Sequence, residues 1–185
     1  KKGNVGTIEL NRVLQETFNP HREGISEKKF MDRVFRVGDK VMQIKNNYQM
    51  EWKILSRGEA GQGVFNGDVG FIAYIDSENQ NLTVIYDDEK YVEYDFSQLD
   101  ELELAYAVTV HKSQGSEFPI MVMPISWFPP MLATRNLLYT AVTRGKKVVV
   151  LVGSENRLRA MVDNDRIKLR YSGLAYRLSN LMTFD

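Results

Sequence analysis

Apolar residues along this chain change their spacing twice, and each regime predicts a different kind of element. Ile8, Leu10, Val13, Leu14 and Phe18 recur at helical intervals, with Thr7 where an N-cap is expected and Pro20 where a helix must stop. From Gly38 the period shortens. Val41–Ile44, Gly70–Ile75, Leu82–Tyr86 and Tyr91–Phe96 read as strands, with turns at Gly67-Asp68 and Ser77-Glu78-Asn79. Such a series of short strands predicts a small antiparallel barrel. The pattern then changes back. Ala105–Val108, Ile120–Ile125 and Val148–Val152 are continuous apolar runs, expected of strands covered on both faces. They alternate with helical stretches at Asn136–Val142, Glu155–Val162 and Leu174–Leu181. The expectation is an α/β fold with an all-β insertion: residues 1–37 and 99–185 form one discontinuous domain, and residues 38–98 the insertion.

Composition narrows the functional classes. The chain has 185 residues, 43% hydrophobic and 26% charged, as a soluble globular domain has. It has no cysteine, which excludes a disulfide framework and cysteine-based zinc sites. His21 and His111 are its only histidines, so a histidine-rich metal site is excluded too. No apolar run approaches the roughly 20 residues of a membrane span, and no signal-peptide pattern is visible. The chain opens on Lys1-Lys2-Gly3 rather than Met, as a fragment would. Its net charge of zero averages unlike regions: Asp76–Glu103 holds ten acidic residues and one Lys, Ala141–Arg170 eight basic and three acidic. A basic region facing phosphates and an acidic one facing away is one reading; two solvated surfaces is the other.

Two stretches carry candidate chemistry. TVHKSQGSEF, Thr109–Phe118, lies between two apolar runs, where an α/β sheet places its ligand. Thr109, Ser113 and Ser116 offer hydroxyls, Lys112 a charge, Gly115 a bare backbone and Glu117 an acceptor for a ribose hydroxyl or a basic partner. Such groups position a sugar–phosphate chain without reading its sequence. The second stretch, Asn136–Gly153, sets Leu137, Leu138, Ala141 and Val142 on one helical face and Arg144 at its end. A guanidinium fixed there by packing projects into an interface and suits bidentate phosphate contact. Asn46, Asn47 and Tyr48 are either a plain barrel loop or DNA contacts, with Tyr48 stacking on a base. Trp52 reads as barrel core, Met121–Met131 as strand core followed by a rigid turn, and Asp87-Asp88-Glu89 as a hairpin tip. The glycine-containing loop Gly58–Gly63 is followed by no Lys-Ser/Thr, so it is no phosphate cradle.

TVHKSQGSEF resembles motif V, and YTAVTRGKK motif VI, of superfamily 1 DNA helicases. The form HKSQGSEF is similar to the RecD-like branch, bacterial ATP-dependent 5′→3′ DNA helicases. GTIELNRVLQETFNP resembles the start of their second RecA-like motor domain, and GDKVMQIKNNY with VFNGDVGFI the SH3-like barrel inserted in it. The resemblance runs from about Gly3 to Arg159. It implies a RecA-like parallel sheet and an arginine finger at Arg144. It places Gln114, Gly115 and Glu117 by the nucleotide, and Thr109, His111, Lys112 and Ser113 by single-stranded DNA, joined by Asn47 and Tyr48 from the barrel. ATP and Mg²⁺ would be held mainly by an N-terminal motor domain, since no Walker A sequence and no identifiable Walker B acid occur here. The resemblance also implies a bacterial cytosolic protein acting in DNA repair or recombination, with other proteins of those pathways as further partners. A reading of another class stays open: a non-catalytic interaction module, such as a scaffold subunit of a recombination nuclease.

Overall fold

The first helix, α1 (Thr7–Phe18), ends where the sequence places its stop, but it buries an unexpected face. In this computed structural model, which describes residues 5–126, 129, 131–166, 173 and 177, Ile8, Val13 and Phe18 are exposed while Gln15 is buried. Asn11, Gln15 and Asn19 share one stripe at intervals of four, so that amides face the protein beside the half-buried Leu10 and Leu14. Thr7 is the first helical residue and not the cap; Gly6 holds the cap position, without a side-chain hydrogen bond. Most of the helix expected at Leu174–Leu181, with Trp127, Phe128 and Pro130, lies outside the described residues.

A hairpin follows, β1 (Glu27–Phe30) and β2 (Arg33–Arg36), then a seven-stranded antiparallel sheet. Its strands are β3 (Lys40–Gln43), β4 (Asn47–Ile54), β5 (Glu59–Val64), β6 (Val69–Asp76), β7 (Asn81–Tyr86), β8 (Lys90–Asp95) and β9 (Leu102–Leu104). They are ordered β5-β4-β8-β7-β6-β3-β9, with a 3₁₀ turn, Phe96–Glu101, between the last two in sequence. Inward residues alternate, as a half-buried sheet requires. Phe35, Ile72, Leu82, Val84, Leu99 and Leu102 are each at most 1% exposed. Fully burying such a side chain contributes roughly 1.5–3 kcal/mol.

Strands β4 and β5 contain no continuous apolar run: Asn47, Gln49, Glu51 and Lys53 alternate with apolar and aromatic residues along β4, and β5 carries Glu59, Gln62 and two glycines. The stretch Gly58–Gly63 is accordingly a turn running into an edge strand and not a free loop. Gly61 is there because Trp52 lies on it: a Cβ would come within 2.3 Å of the indole. Trp52 packs against the barrel core, and Asp87–Glu89 form the expected tip between β7 and β8.

The remaining strands, β10 (Phe118–Ile125) and β11 (Gly145–Gly153), pair in parallel, with Ile120 beside Val148 and Met123 beside Leu151. The helices α2 (Arg135–Val142) and α3 (Glu155–Asp163) cover one face, burying Met123, Ile125, Leu138, Ala141 and Met161. The other face is open, against the expectation of cover on both sides: Ile120 and Val122 are each 61% exposed and Val152 56%. Ala105–Val108 is not a strand either. The preceding β9 belongs to the antiparallel sheet, and its edge position leaves the run without a partner ladder. The chain enters and leaves that sheet side by side, Ala105 N donating to Lys40 O at 2.8 Å.

Candidate helicase site

Residues Thr109–Glu117 form a tight turn directly after the barrel, and much of its polar equipment holds the turn itself. Thr109 Oγ1 accepts from Lys112 N at 3.3 Å, and Ser113 N donates to Thr109 O at 3.1 Å. Ser113 is buried, its hydroxyl donating to Val110 O at 2.8 Å. Lys112 is half-buried and its ammonium sits 2.6 Å from Glu103 of β9, so its charge is already paired. His111, Gln114, Gly115 and Glu117 are the exposed members. Gly115 has φ +87°, the left-handed region that a side chain resists, and lets the chain reverse toward β10. Glu117 pairs with Lys146 at 2.7 Å, and that hydrogen bond holds its carboxyl below the ordinary range.

Beside the turn lies an open cleft of about 220 Å³. His111 and Gln114 form one wall; Thr134, Asn136 and Thr140 of α2 and its cap form the other, with Met131 and Leu132 at the apolar end. Thr134 caps the helix, its hydroxyl accepting from Leu137 N at 3.3 Å. Asn136 and Thr140 belong to the second candidate stretch, Thr140 to YTAVTRGKK itself, but the sequence singled out neither as a site residue, and Thr134 lies outside that stretch.

Arg144 stands where α2 gives way to β11. Its Nε donates to Thr140 O at 3.2 Å, one terminal nitrogen to Ser116 O at 3.2 Å, and the other to Thr143 Oγ1 at 3.3 Å. Phe118 N donates to Arg144 O at 2.8 Å, which ties the backbone there to the end of the motif turn. All three side-chain acceptors are neutral. Among the described residues no carboxylate forms an ion pair with this guanidinium; the Glu117 carboxylate feels its charge but is hydrogen-bonded to Lys146.

Asn47 and Tyr48 lie far along the chain, in the barrel. The Asn47 amide is tied to Glu101 at 3.1 Å. Tyr48 is 68% exposed and meets Phe65 edge-on, ring centroids 5.6 Å apart. Phe65 escaped the sequence reading. The sign of it was an aromatic directly before a tight turn, Phe65-Asn66-Gly67-Asp68, where Asp68 Oδ2 accepts from Phe65 N at 2.8 Å.

Residues 10–86 match the family described as the ATP-dependent RecD-like DNA helicase SH3 domain, and residues 104–152 the UvrD-like helicase C-terminal domain. The chain is 34% identical over 154 residues, 83% of its length, to the ATP-dependent RecD2 DNA helicase of Deinococcus radiodurans. It is 35% identical over 127 residues, 69% of its length, to the RecBCD enzyme subunit RecD of Mycobacterium tuberculosis. It spans 19% of the first protein and 21% of the second. The crystal structure of Bacteroides Pif1 bound to ssDNA has the same fold over 96% of this chain and 44% of that one, at TM-score 0.55 and 17% identity. The two family matches together take in more than half of the chain. The chain belongs to the RecD-like DNA helicases and carries their SH3 domain and C-terminal helicase domain.

Proposed function

We propose that this chain is the C-terminal part of an ATP-dependent 5′→3′ DNA helicase motor, which couples ATP hydrolysis to movement along single-stranded DNA in repair or recombination. Residues 1–37 and 99–185 belong to the second motor domain in this reading, and residues 38–98 are a barrel inserted in it. The observation that carries the proposal is Arg144. A half-buried guanidinium oriented by three neutral acceptors, with no carboxylate partner among the described residues, suits an anion delivered by another domain. Bound ATP would supply that anion as its γ-phosphate, with Mg²⁺ held by residues of the first motor domain. Gln114, Gly115 and Glu117 are exposed on the turn joined to Arg144 through Ser116 and face the nucleotide in this scheme.

DNA would pass the outer side of the same turn. His111 meets it directly, whereas Thr109 and Ser113 shape the backbone that does so. Lys112 reaches a phosphate only by exchanging Glu103 for it, which makes DNA affinity sensitive to both residues. The open face of β10 and β11 fits the same picture, since a parallel sheet carries helices on both faces and the parent chain would supply the second cover.

Arg144→Ala in the full-length parent tests the reading. Turnover is expected to fall by at least about 10³, the lower end for such fingers, with ATP binding nearly intact. Turnover within about threefold of wild type, far below that contribution, rules Arg144 out as the finger.

A further inference from the structure

Asp39 is fully buried, and among the described residues no cation pairs with it. Its Oδ2 accepts from Gln15 Nε2 at 2.6 Å and Arg36 N at 2.7 Å; its Oδ1 accepts from Asn19 Nδ2 at 2.8 Å and Tyr106 Oη at 3.0 Å. The neighbouring Arg36 turns its guanidinium elsewhere, to Glu16 at 2.7 Å and to Glu27. The four donors come from three places: helix α1, the root of the barrel, and the link between β9 and the motif turn. Each amide also holds backbone, Gln15 reaching Val34 O at 2.8 Å and Asn19 reaching Val37 O at 3.1 Å.

The same helix face grips the link a second time. Asn11 Nδ2 donates to Ala107 O at 2.8 Å, and Ala107 N donates to Asn11 Oδ1 at 2.8 Å. This is the pairing a strand would make, supplied by one side chain, two residues before Thr109. A helix that needed only burial would present hydrocarbon here. Amides fix distance and direction as well, because each misplaced buried donor forfeits its hydrogen bond.

We propose that Asn11, Asp39 and Tyr106 are positioning residues: they lock the Thr109–Glu117 turn to the root of the barrel, so that movement of the barrel on DNA is carried to the nucleotide-facing turn. The last clause rests on the motor reading above; the lock itself does not. Asp39 is a poor probe, since its replacement strands four buried donors. Asn11→Leu and Tyr106→Phe keep bulk and remove only the hydrogen bonds.

Both variants are to be made in the full-length parent and followed by amide hydrogen exchange and by ATPase with and without poly-dT. Exchange over residues 107–116 is expected to rise at least tenfold while barrel amides such as Val84 and Val92 keep their protection. Turnover without DNA should stay within twofold, and stimulation by poly-dT should fall at least fivefold. Unchanged exchange over residues 107–116 overturns the lock. Raised exchange with normal stimulation overturns the transmission and leaves a structural clamp. A wild-type parent that poly-dT does not stimulate refutes the motor reading instead, and the exchange data still decide the lock.

Discussion

The barrel and the parallel pair are built from similar residues, yet they reach very different degrees of completion. Among the described residues the barrel closes fifteen buried apolar side chains around itself, whereas the parallel unit closes five, all on the side of its two helices. The barrel also satisfies its own interior polar groups: Tyr86 and Tyr94 hydroxyls meet at 2.8 Å, Tyr94 donates to Gln43 at 2.9 Å, and Gln43 donates to Glu101 at 2.8 Å. Burial pushes both tyrosines well above the ordinary phenol range. The parallel pair leaves valines and an isoleucine open to water. One region buries its own core. The other leaves an apolar face exposed among the described residues.

Separating the two is the harshest way to break this comparison. Residues 25–106 expressed alone are expected to give a dispersed NMR spectrum and one cooperative urea transition. Residues 105–166 alone are expected to collapse without fixed packing. A molten barrel fragment would show that its core depends on the parallel unit.

Point substitutions sharpen the contrast. Leu82→Ala or Leu99→Ala, both fully buried, should cost about 2–5 kcal/mol by urea unfolding. Val122→Thr, on the open face, should stay within about 0.5 kcal/mol in this chain. In the full-length parent the same change should destabilise measurably, because a hydroxyl would then be buried. Equal small effects in both settings would mean the face stays wet. Tyr94→Phe should cost about 1–3 kcal/mol, since it strands Gln43 and Tyr86 in a closed interior.

The smallest effects are those of carboxylates, read by NMR titration. Burial raises Asp39 above the ordinary aspartate range, against the pull of its donors. Asp95 is lowered by its hydrogen bond with Ser97, and Asp76 by the Asn79 amide. Asp39 therefore takes a proton first in the folded state as pH falls, and that step favours folding. Asp95 and Asp76 contribute stability above their unfolded pKa and lose it as pH falls through their lower folded values. Glu117, lowered by Lys146, follows the same sign in the parallel unit. An Asp39 that titrates below Asp95 would mean that its donors outweigh its burial.

Much of the architecture was readable in the chain because its signals are local. Strand alternation from Leu82 to Tyr86, the turn at Ser77–Asn79 and the apolar runs at Ile120 and Val148 each depend on neighbours within a few residues. The order of these elements, with the two polar motifs, was enough for the α/β class with its antiparallel module. Where the pattern misled, local signals competed with distant partners. Helical spacing marked Ile8 and Val13 as the inner face of α1, but the surface waiting there offers carboxylate and backbone oxygens, so amides face inward. The apolar Ala105–Val108 looked like a strand, and a single asparagine 96 residues away does the pairing instead.

What the sequence determined by itself is the first helix, most of the strands, the α/β class with its antiparallel module and the presence of Arg144 at a helix end, because these follow from short-range sterics and periodicity. Only the tertiary structure decided that Lys112 is spoken for by Glu103, that Ser113 faces inward, that Arg144 keeps an unpaired charge among the described residues, and that one buried aspartate joins three segments. Hydrogen bonds and ion pairs act over about 3–4 Å in space without regard to separation along the chain, so their partners exist only once the chain has folded.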